Sequence, residues 1–143
     1  MASAYYDINA QEYSTFNFHV EYYDDNNNAV DLTGYTARLQ VRPYTESSIK
    51  YLDISTSGVT HGGSTGAIYG TTSGVGVSGS GGIFLNRGET GGVFTGGIRI
   101  SVDSTSVGYV RAGAWKYSLD LTKGATTDEL MYGRFVVAPK TSR

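Results

Sequence analysis

Wherever this 143-residue chain spaces its apolar residues regularly, it does so with a period of two. Trp115, Tyr117, Leu119 and Leu121 alternate with Lys116, Ser118, Asp120 and Thr122. Tyr35, Ala37, Leu39 and Val41 alternate with Arg38, Gln40 and Arg42; Phe16, Phe18, Val20 and Tyr22 alternate with Asn17, His19 and Glu21. A pleated strand sends successive side chains to opposite faces, so each run is a half-buried strand, and no window of useful length carries helical spacing. Strands are expected over 13–22, 35–42, 50–54, 98–102, 115–122 and 130–138. Turn signals separate them: Asp24 to Asn28, Pro43, and a hairpin loop from Lys123 to Asp128. Asp103, Ser104, Thr105 and Ser106 have the chemistry to cap one helical turn through Val107. The pattern predicts an all-β fold, an antiparallel β-sandwich of immunoglobulin-like or jelly-roll-like kind.

The length fits one domain, residues 1–143, with enough chain to bury a core without a staple. No cysteine is present, so disulfides, thiolate metal sites and cysteine nucleophiles are all excluded. A net charge of −2 without a basic cluster argues against nucleic acid as a partner. The N-terminus lacks the basic and apolar regions of a signal peptide, and no apolar run approaches the roughly 18 residues of a membrane span. Synthesis in a cytoplasm and no membrane partner are therefore expected.

Residues 55–97 break the pattern. Positions 55–86 hold no Asp, Glu, Lys or Arg, and 15 of the 20 glycines fall between 58 and 97. Glycine is entropically costly to order and brings no side chain to bury, which predicts a Gly/Ser/Thr-rich insertion or arm without a core of its own. Its apolar residues Tyr69, Val75, Val77, Ile83, Phe84 and Leu85 are then candidates for an interface, buried against a neighbouring subunit by β-augmentation. A hairpin folded back on the parent sandwich is the competing expectation.

Little in the sequence points to catalysis or to a cofactor. His19 falls on an outward face and His61 in a glycine-rich loop, with no further ligands at metal spacing. Asp24, Asn26, Asn28 and Asp31 resemble a calcium loop faintly, but Ala29 and Tyr35 stand where its Gly and Glu belong; an Asx-rich turn explains them better. Asp120 and Asp128 have no argued pocket, and Gly74 to Gly79 lacks the ending of a phosphate loop. No catalytic residue, metal or cofactor is expected. Tyr5, Tyr6, Tyr44 and Tyr109 fall outside the core stripes and suit either a sugar platform or a protein interface.

Three segments carry a resemblance. Asn28-Ala-Val-Asp-Leu-Thr-Gly-Tyr-Thr-Ala-Arg-Leu-Gln-Val-Arg42, then Ile100-Ser-Val-Asp-Ser-Thr105 followed by Gly113-Ala-Trp-Lys-Tyr-Ser-Leu-Asp-Leu-Thr122, and finally Gly133-Arg-Phe-Val-Val-Ala-Pro-Lys-Thr141 resemble, in order, the small β-domains of tailed-bacteriophage structural proteins. The likeness is to the N-terminal domain of baseplate upper proteins and tail-fibre adaptors, over about two thirds of the chain. The matched residues are fold residues, so the resemblance transfers no site. It implies a virion structural protein working through protein–protein interfaces, a tail, baseplate or fibre adaptor. The partners would be other virion proteins and copies of itself. A capsid decoration protein is the alternative, and a carbohydrate-binding module is the alternative of another class. Where relatives have a short connection, this chain has 55–97.

Overall fold

Each alternating run forms a strand, and the strands pack as two sheets face to face in an all-β sandwich. The structure, a computed structural model, describes residues 4–44, 50–61, 77–108, 110 and 112–140. Its elements are β1 (Ala4–Tyr5), β2 (Ile8–Gln11), β3 (Phe16–Glu21), β4 (Thr36–Arg42), β5 (Leu52–Ser55), β6 (Gly58–His61), β7 (Val77–Gly79), β8 (Gly81–Arg87), β9 (Val93–Val102), α1 (Ser104–Gly108), β10 (Gly113–Lys123) and β11 (Thr126–Ala138). The larger sheet runs β1-β11-β10-β4-β5-β6-β7, with β2 also on β11; the smaller sheet is β3-β9-β8. β1 and β2 run parallel to β11, and every other pairing is antiparallel.

The inward stripes meet in one core. Leu39, Val41, Leu119 and Phe135 from the larger sheet face Ile98, Ile100 and Val102 from the smaller, all fully buried. Phe18, Val20 and Trp115 pack partly buried at its margin, the Trp115 ring 4.7 Å from that of Tyr51. The β10–β11 hairpin is tighter than expected: Lys123 pairs with Thr126, so Gly124 and Ala125 alone make the turn. Gly124 reaches a φ of 60°, which lets two residues close a hairpin and carries pairing through Thr127 and Asp128.

Residues 55–97 do not form an arm where they are described. They supply β6, β7, β8 and the start of β9, and so contribute to both sheets. The chain crosses from the larger sheet to the smaller at Gly79-Ser80-Gly81-Gly82, and glycine is needed there for close approach. A Cβ on Gly79 would lie 2.0 Å from the Ser106 hydroxyl, and one on Gly81 2.0 Å from the Ser101 carbonyl. Asp103 pins the corner: one carboxylate oxygen accepts from Ser80 N and the Ser106 hydroxyl, the other from Ser106 N. The Ser106 bond caps the first turn of α1, as the sequence implied. Burial pushes the Asp103 carboxyl up, but the hydrogen bonds from Ser106 and Ser80 outweigh it and hold the group below the usual carboxylate range.

This placement corrects the expectation for Ile83. It is 2% exposed inside the chain's own core, because pairing with Ile100 on β9 points it at the larger sheet. Leu85, on the same face, packs partly buried against that core; Phe84, on the opposite face, is exposed. Val77 begins β7 opposite His61. Tyr69 and Val75 lie outside the described residues. His61, expected in a loop, is a buried residue of β6, since β5 and β6 form a hairpin whose inward stripe includes Val59 and His61.

The Asp31-Leu-Thr-Gly34 segment is held across the fold. Asp31 accepts from the Thr33 amide and hydroxyl, closing its own turn, and Gly34 follows at a φ of 83°. Asn86 bulges out of β8 in the left-handed region, accepts from Leu32 N and Gly96 N, and donates to Asp31. One amide side chain thus ties the 31–34 turn to the small sheet.

Candidate functional site

With both inward faces spent on the core, function falls to the two outward faces. On the small sheet, pairing brings Phe84, Arg99 and His19 into one row across β8, β9 and β3. The Arg99 guanidinium sits 5.8 Å from the Phe84 ring centre, within cation–π reach. His19 meets Phe94 edge to face at 6.1 Å, and its Nε2 lies 3.1 Å from the Arg87 carbonyl. The β8–β9 turn closes through Gly88 N to Gly92 O and Gly91 N to Gly88 O, and it thrusts Val93 out to 82% exposure. Phe84 and Phe94 are 41% and 40% exposed. These apolar groups, joined by the Arg99 and His19 side chains, make one patch flanked by Glu21 and Glu89.

The outward face of the large sheet is polar and grooved. Tyr132, Ser118, Gln40 and Asp53 form one row across β11, β10, β4 and β5, and Arg134, Lys116 and Arg42 form the next. Between Leu119 and Asp120 the β10–β11 register shifts, so Asp120 faces Glu129 and Leu119 faces Met131. The extra residue, Leu130, lets Glu129 and Tyr132 both point outward although they are three apart, as a β-bulge does. Tyr5, Gln40, Arg42, Lys116, Ser118, Glu129 and Tyr132 line a depression of about 400 Å³.

Hydrogen bonds and a ring contact hold its walls. Arg42 Nη2 donates to Gln40 Oε1 at 2.6 Å, and Gln40 Nε2 donates to Asp53 Oδ2 at 3.2 Å. Asp7 accepts from the Arg134 amide and guanidinium at 3.2 and 3.1 Å, and Tyr5 packs edge to face on Tyr132 at 5.3 Å. The Arg134 guanidinium is the chief reason the Asp7 carboxyl lies below its ordinary range; hydrogen bonding to Asp7 raises the Tyr5 phenol. Gly133 lets β1 cross at this point, since a Cβ there would fall 2.3 Å from the Tyr6 carbonyl. Burial and then the nearby Glu129 raise the Asp120 carboxyl, against a smaller opposing effect of Arg38.

Of the tyrosines singled out from the sequence, Tyr5, Tyr6 and Tyr44 are exposed, and Tyr109 lies outside the described residues. Only Tyr5 lines the groove. Alternation had already put Gln40, Arg42 and Lys116 outward, but Glu129 and Tyr132 depend on the bulge. The carboxylate across from Asp120 is accordingly Glu129, not Asp128, which pairs with Leu121. In the 24–28 turn, Asp24 Oδ1 accepts from Asn26 N and Asn28 N, and Asn27 takes a φ of 63°, an Asx turn. Among the described residues no three carboxylate or imidazole groups gather as metal ligands, and no helix is long and apolar enough to cross a membrane. No protein-family model matches the sequence, and no curated protein matches it.

Proposed function

We propose that this chain is a bacteriophage virion structural protein that acts through protein–protein contacts, without turnover, as a tail, baseplate or fibre adaptor. Its partners are other virion proteins and copies of itself, and its place is the assembled particle. The observation that carries the reading is the small-sheet patch of Phe84, Val93 and Phe94. Exposed apolar groups gathered at one place, with an arginine and a histidine among them and carboxylates at the rim, match the make-up of protein interfaces. The segments resembling phage β-domains add the kind of assembly. Both supports agree that the fold residues build a scaffold and the surface does the work.

The test is particle composition. Gradient-purified particles of the encoding virus are expected to contain the chain at a fixed copy number, by quantitative mass spectrometry. A Val93→Asp/Phe94→Asp variant is expected to keep its melting temperature yet be missing from particles. Absence of the wild-type chain from particles, or unchanged incorporation of the double variant, overturns the proposal.

A further inference from the structure

We propose that β3 is a self-association edge: two copies of this chain pair β3 with β3, antiparallel about a twofold axis at His19, and join their three-stranded sheets into one of six. This deepens the reading that copies of the chain are among its partners, and it rests on a strand edge rather than on the Val93–Phe94 patch.

The ladder shows which backbone groups point outward from the sheet. The amide and carbonyl of one strand residue point to the same side, and successive residues alternate. Tyr22 N donates to Gly96 O and Asp103 N to Ser80 O, so the even residues of β3 face β9 while the odd residues of β9 face β8. Asn17, His19 and Glu21 therefore turn their amides and carbonyls away from β9, and among the described residues nothing bonds those backbone groups. Such an edge is a template for another strand, and proteins blunt it by shortness, a bulge, proline or lysine. The other edge strands are blunted. β1, β2 and β7 span two, four and three residues, and β8 is interrupted where Asn86 bulges. β3 runs six residues with no bulge, proline, lysine or arginine.

Its side chains fit a second copy of themselves. A register centred on His19 pairs Asn17 with Glu21 of the second copy, His19 with its own counterpart, and Glu21 with Asn17, so every outward amide and carbonyl of the three is bonded. The outer face then sets an amide donor against each carboxylate. On the inner face Phe18 falls opposite Val20 of the second copy in a closely spaced pair, an aromatic against a β-branched residue. Both are only half-buried in the single chain, and Tyr6, 51% exposed, extends that apolar strip with its ring 5.7 Å from that of Phe18. Centring one residue to either side leaves Asn17 or Glu21 outside the ladder, and centring on Glu21 sets two carboxylates face to face.

Sedimentation of the full chain is expected to show a monomer–dimer equilibrium between micromolar and submillimolar concentration. Asn17→Glu places carboxylates opposite each other at both ends and is expected to weaken the dimer about fivefold or more with an unchanged circular dichroism spectrum; adding Glu21→Lys is expected to restore it. The chain has no cysteine, so a single introduced one reports the register. His19→Cys is expected to give a covalent dimer under mild oxidation, because facing residues of a bonded pair sit about 5.5 Å apart, within the roughly 4.4–6.8 Å of disulfides. Asn17→Cys, at a more exposed position, is expected to give little. A chain that stays monomeric, a dimer indifferent to Asn17→Glu, or crosslinking at 17 equal to that at 19 overturns the proposal. A dimeric chain missing from particles defeats the assembly role alone, whereas a monomeric chain present in particles defeats the edge pairing alone.

Discussion

Ile83 and Phe84 are neighbours on β8 with opposite fates, and together they test whether the glycine-rich region belongs to this chain's own core. Ile83 is 2% exposed beneath β4, β5 and β6, while Phe84 stands on the outer face under the Arg99 guanidinium. Ile83→Ala deletes three carbon atoms, and at about 0.8 kcal/mol per buried methylene the transfer loss alone is about 2.4 kcal/mol. The cavity left between two sheets that cannot collapse adds to this, giving a total of about 3–4 kcal/mol. Phe84→Ala gives up a partly exposed ring and one cation–π contact, about 0.5–1 kcal/mol. Urea unfolding followed by Trp115 fluorescence reads both. With a slope of about 2 kcal/mol per molar, Ile83→Ala lowers the midpoint by about 1.5–2 M and Phe84→Ala by less than about 0.5 M. Equal small losses would refute the placement of β8 and return Ile83 to the role of an interface residue. Deleting 58–96 would remove β6, β7, β8 and the first part of β9, so it would cut into the chain's own sheets and would not isolate an arm.

Gly81→Ala is expected to destabilise by more than about 2 kcal/mol in the same assay, since it combines a φ of 114° with a Cβ 2.0 Å from the Ser101 carbonyl; a loss below about 0.5 kcal/mol would contradict the corner geometry. Asp103 governs part of the acid response. Its folded pKa is depressed, so its contribution is present above the unfolded value of about 3.9 and is lost as pH falls through the folded one. Asp7 and Asp31 act in the same direction, whereas the raised Asp120 is destabilising at neutral pH and is relieved as pH falls. Asp103→Asn is expected to lower stability at pH 7 by about 0.5–2 kcal/mol and to flatten the decline in melting temperature below about pH 4; an unchanged acid profile would remove Asp103 from that role.

The sequence by itself determined the strands whose side chains carry a signal. Trp115 to Leu121, Tyr35 to Val41 and Ile98 to Val102 alternate because the pleat alternates, whatever strand lies beside them. It also determined the Asp103 cap and the Asx turn at Asp24, where a side chain bonds backbone a few residues away. The tertiary structure alone decided the rest. Glycine has no side chain to display a period, and what Gly79, Gly81 and Gly82 make room for lies on Ser106, Ser101 and Ser55, about twenty or more residues away. Asn86 reads as one polar residue among many until the fold sets it beside Asp31 and Leu32. The polar groove was half legible: alternation turned Gln40, Arg42 and Lys116 outward, but one bulged residue at Leu130 decided that Glu129 and Tyr132 join them. Facing direction is a local property of a strand, whereas register and partner come from pairing with chain far away, and only the folded sheet holds that information.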